Sequence, residues 1–214
     1  AAALLAVGAS KEEVAKMMEE TNLMAAQAGV DMGKVQADIA ENAEEASRFL
    51  SGNPEAIRDA AIEAAKLGIS LKNMVGIADS LLDIESSLQN QFEANAMLGR
   101  QMNFDKARQL ALEGDIAGAS KAVLEQVGSI ADFENMNVKQ KEKLAKAAGM
   151  EVGELEKSLR IQELRGKMTD EELAAAQGLN LSAAELKNMT SEELAEKVKS
   201  KQASEKAAAA MAQM

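Results

Sequence analysis

The chain has 214 residues, enough for one or two compact domains, with 47% hydrophobic residues and a formal net charge of −11. It holds neither Cys nor His, which removes disulfides, thiolate nucleophiles, His-based triads, the commonest general acid/base and nearly all zinc and di-iron helix motifs. The acidic balance opposes nucleic-acid binding through a basic face and long-range attraction to anionic membranes, and no run approaches the roughly 20 apolar residues of a membrane span.

Strand patterning is nearly absent and helix starts are frequent, so the chain reads as all-α. Helices are predicted near 10–28, 32–50, 54–67, 70–98, 103–113, 115–127, 137–148, 151–166, 169–177 and 182–212. Their corners repeat one phrase: helix end, Gly, apolar residue, polar cap, apolar residue. It occurs at Ala28-Gly29-Val30-Asp31-Met32, Leu67-Gly68-Ile69-Ser70-Leu71, Ala148-Gly149-Met150-Glu151-Val152 and Gln177-Gly178-Leu179-Asn180-Leu181, and more loosely at Val7-Gly8-Ala9-Ser10. Each Gly can take the left-handed conformation that closes a helix, and the polar residue two positions on can cap the next one. The irregular spacing of these corners argues against a strict solenoid.

Capping boxes are predicted at Ser10/Glu13, Thr169/Glu172, Ser182/Glu185 and Thr190/Glu193, with a weaker version at Asn137/Gln140. Asn53 precedes Pro54, the single proline, at a first helical position. Over 70–98, Met74, Ile77, Leu81, Ile84 and Leu88 step in threes and fours like one coiled-coil seam. Gln91 and Asn95 continue that register as polar positions of the kind that fix oligomer number, before Leu98 returns. The other reading of the same residues is an ordinary amphipathic helix whose face drifts toward Phe92 and Ala96.

Three segments follow: a helical one over 1–52, a helical block over 53–166, and a charge-rich and Ala-rich tail over 167–214 whose apolar stripe fades. The ends, AAALLAVGA and KAAAAMAQM, read as helices cut from a longer chain. With four Phe and no Trp or Tyr, thin seams of Ala, Leu and Met are expected rather than a thick core. The thirteen Met suit either adaptable partner surfaces or simple core filling.

No phosphate loop or nucleophile elbow occurs, and the acidic stretch Asp132–Glu142 lacks the central Gly of a calcium loop. Asp79, Asp83, Glu85 and Glu93 could supply a carboxylate pair but read more simply as a solvated face. Arg100, Lys106 and Arg108 form a basic cluster around Gly99 and Asn103, which either receives a partner's carboxylate or phosphate or balances Asp105 and Glu113. Asn188-Met189-Thr190 matches the glycosylation triplet, with nothing beside it that indicates secretion. No catalytic, cofactor-binding or metal-ligating residue is nominated, no cofactor is implied, and the chain is not read as an enzyme.

One block carries a resemblance. EAAKLGISLKNMVGIADSLLDIESSL (Glu63–Leu88), LGRQMNFDKARQLALEGDIAGA (Leu98–Ala119) and LEQVGSIADFENMNVKQKEKLAKAAGMEVGEL (Leu124–Leu155) together resemble virion proteins of large marine tailed phages, including cyanophages, that are assigned as tail tape measure proteins. The resemblance covers about half of the chain, from Ala60 to about Leu159. It implies a helical protein of the virion tail lumen or tail tip, assembled in the host cytoplasm, that sets tube length and leaves ahead of DNA at ejection. It also implies self-association with three- or six-fold symmetry, contact with tail tube, hub or baseplate proteins, and membrane contact only during ejection. No sequence-specific nucleic acid and no small-molecule substrate are expected. Even as one continuous helix, 214 residues would span only roughly 320 Å, so the chain would be one region of such a protein. The alternative expectation is a cytosolic helical adaptor that holds one partner helix.

Overall fold

The computed structural model describes residues 20–25, 27–167 and 200, and every regular element among them is a helix. After helical residues at 20–25 and 27–28, nine helices follow: α1 (Met32–Ser47), α2 (Pro54–Leu67), α3 (Leu71–Leu82), α4 (Ile84–Leu98), α5 (Asp105–Leu112), α6 (Ile116–Val127), α7 (Ile130–Glu134), α8 (Val138–Ala147) and α9 (Val152–Arg165).

The glycine corners close as their chemistry requires. At Gly68 (φ 72°) the Ile69 N–H donates to the Ala64 carbonyl at 3.0 Å and the Gly68 N–H to that of Ala65 at 3.1 Å. Gly149 (φ 70°) repeats the pattern, with Met150 donating to Ala145 at 2.9 Å and Gly149 to Lys146 at 3.1 Å. These paired bonds satisfy carbonyls that a helix end otherwise leaves orphaned. A further copy closes α5 at Gly114, where Asp115 donates to Leu110 at 2.9 Å. It lacks the apolar residue between Gly and cap, so the hydrogen-bond pattern, not the full phrase, makes the corner.

Caps start the next helices. Asp31 accepts from the Lys34 N–H at 2.7 Å, Ser70 from Asn73 at 3.1 Å and Asn53 from Glu55 at 2.9 Å. Asn137 and Gln140 form the expected reciprocal box. Glu151 holds the N-cap position of α9 without a side-chain bond, its carboxylate one methylene further from the backbone than the aspartate that serves elsewhere. The corners at Gly8 and Gly178 and the boxes at Ser10, Thr169, Ser182 and Thr190 lie outside the described residues.

Two element predictions are corrected. The helix expected over 70–98 is interrupted at Asp83 (φ −76°, ψ 79°), which ends α3 and begins α4. Its carboxylate accepts from the Ser86 N–H at 3.3 Å, so an aspartate that favours a cap over a helix interior cuts the run. The second correction is α7, which was not foreseen. Ser129 and Asp132 cap it reciprocally, an S-x-x-D variant of the capping box.

α3 lies at the centre and touches α1, α2, α4, α5 and α6. Leu71, Met74, Val75, Ile77, Ala78 and Leu81 are buried along it. α5 pairs with α6 and α4 with α8, while α9 contacts α2, α7 and α8. Buried side chains from α1 (Val35, Ile39, Ala43, Ala46) through α9 (Leu155, Leu159) join one continuous apolar cluster. Separate thin seams were expected; instead, abundant buried Ala lets several helices approach α3 closely enough to share one core. Phe104 and Phe133 supply its largest side chains. Met74 and Met102 are buried, and Met24, Met32, Met136 and Met150 pack partly buried against the core, so most of the described methionines act as core filling.

Candidate interaction surface

α4 reverses the usual placement of polar and apolar groups. Its buried positions are Ser87, Gln91 and Ala94, whereas Ile84, Leu88 and Phe92 are 41%, 37% and 68% exposed and Ala96 is exposed as well. At four-residue spacing these four apolar residues form one oblique stripe.

The inward side is a hydrogen-bonded network. Asn95 reads both backbone groups of Met102, donating Nδ2–H to its carbonyl at 3.1 Å and accepting from its N–H at 2.9 Å. Gln91 donates to the same carbonyl at 2.9 Å, and its Oε1 accepts from the Phe104 N–H at 3.3 Å. The buried Arg108 of α5 donates to that Oε1, to Ser87 Oγ at 3.1 Å and to Asp105 Oδ1 at 2.7 Å. Buried polar groups are costly unless paired, and this set is closely paired. It fixes the 99–104 loop against α4 and inserts Met102 and Phe104 into the core.

Beside the stripe this loop leaves a groove of about 660 Å³, lined by Gln91, Phe92, Asn95, Ala96, Gly99 and Met102 among others. A Cβ placed on Gly99 would meet nothing within 4 Å, so the groove is open there.

The seam expected from Met74 to Leu98 does not form. Met74, Ile77 and Leu81 point into the core while Ile84 and Leu88 face solvent, because the break at Asp83 rotates α4 relative to α3. Gln91 and Asn95 fix the chain's own loop rather than a register between copies. The drift toward Phe92 and Ala96 is real as an apolar pattern, but that side faces outward.

The basic cluster does not converge either. Arg108 is spent inside the chain, Arg100 donates Nη2–H to the Val127 carbonyl, and Lys106 is exposed. Asp105 does balance Arg108, whereas Glu113 accepts from Gln109 at 2.9 Å. The four carboxylates are likewise dispersed. Asp79 meets Arg48 at 3.2 Å, Asp83 caps α4, Glu85 is exposed, and Glu93 meets Lys143 at 2.5 Å. Hydrogen bonding from Lys143 holds the Glu93 carboxyl below its ordinary range, and bonding to Ser86 does the same for Asp83. In Asp132–Glu142, Asp132 serves the α7 cap and Glu142 pairs with Lys139 at 2.8 Å.

Among the described residues no group of three His, Cys, Asp or Glu is placed to hold a metal ion, and no helix is long and apolar enough to cross a membrane. Asn188 lies outside the described residues. No protein-family model, curated protein or solved structure matches the chain.

Proposed function

We propose that this chain is a region of a tape measure protein in a phage tail interior, a structural component that sets tail length and is released ahead of DNA. The resemblance of Glu63–Leu88, Leu98–Ala119 and Leu124–Leu155 to such virion proteins carries this reading. Physical properties support it. A net charge of −11 repels the DNA that would slide past in the lumen. An apolar stripe on α4, exposed among the described residues, would supply contact area for assembly with copies or with tube, hub or baseplate proteins.

The function is therefore mechanical. The polar network around Gln91 and Arg108 holds a loop, and the chain works through its surfaces. Three- or six-fold symmetry is the arrangement a tube would impose.

A second reading, a cytosolic helical adaptor, draws on the same groove at Phe92, which would take a partner's helix. Mass spectrometry of purified particles encoded alongside this reading frame separates the two. The tape measure reading expects these peptides in tails before ejection and in the released fraction afterwards. Their confinement to infected-cell cytosol, with none in particles, would overturn it.

A further inference from the structure

We draw no further inference here: the strongest candidate, the lysine-rich surface patch of α8, has Lys139 on Glu142, Lys143 on Glu93 and Lys141 over the Phe133 ring, and nothing in the structure shows what covers it.

Discussion

α3 buries Leu71, Met74, Val75, Ile77, Ala78 and Leu81, whereas α4, one residue further along the chain, buries Ser87 and Gln91 and turns Ile84, Leu88 and Phe92 to solvent. α3 is held by apolar burial on several sides, the non-directional force that dominates folding. α4 is held by directed hydrogen bonds to a loop and by its packing on α8. A helix fixed by polar anchoring can leave its apolar residues out of the core, and a helix buried on several sides cannot. The contrast separates a helix held by apolar burial from one held by directed hydrogen bonds.

The largest expected effect falls on α3. Ile77→Ala removes a fully buried side chain beside the Gly149 corner and should cost about 2–5 kcal/mol of unfolding free energy, read by urea denaturation. Gln91→Ala comes next. It leaves the Phe104 N–H and part of Arg108 without an acceptor, at about 1–3 kcal/mol for a buried group so orphaned. Its effect should concentrate in the 99–104 loop, read as faster amide exchange at Met102 and Phe104. If Gln91→Ala destabilised the chain as much as Ile77→Ala and uniformly, the division between core helix and anchored helix would fail.

A smaller effect separates the carboxylates at the starts of the two helices. Asp38 of α1 accepts from the Leu71 N–H at the start of α3 at 2.6 Å, beside the Ser70 cap, and burial pushes its carboxyl above the ordinary range. The folded state therefore binds that proton more tightly, and this contribution to stability falls as pH rises from the unfolded value through the raised folded one. Asp83 has the opposite sign: its lowered carboxyl contributes above the unfolded value, and this is lost as pH falls through the lowered folded one. In denaturation across the acid range, Asp38→Asn should thus gain on wild type as pH rises and Asp83→Asn should lose. Equal signs would refute the assigned environments.

Helix identity and corners were legible because they depend on local chemistry. Gly68 and Gly149 need only a left-handed residue after a helix, and Asn53-Pro54 or Asn137/Gln140 need only a cap. The Asp83 break was harder to see, because threes-and-fours spacing continues through it and one aspartate decides between a continuous helix and a cap. α7 had its own signal in Ser129 and Asp132, hidden because aspartate replaces the more frequent glutamate. The α4 stripe was written in the sequence as Ile84, Leu88, Phe92 and Ala96, but periodicity does not reveal which side faces inward. Ser87 and Gln91 look like a solvent face until the tertiary fold brings Arg108 and the Met102 backbone against them. For the same reason the basic cluster looked external, although Arg108 is buried.

Hydrogen exchange of the full chain, followed residue by residue in wild type and in Gln91→Ala, tests the separation of core helix and anchored helix most directly. Amides of α4 from Leu88 to Met97 and of the adjoining loop are expected to lose protection in the variant, with α3 protected equally in both. Exchange in α4 and the loop that ignores the substitution, or protection that falls first in α3, would contradict the account.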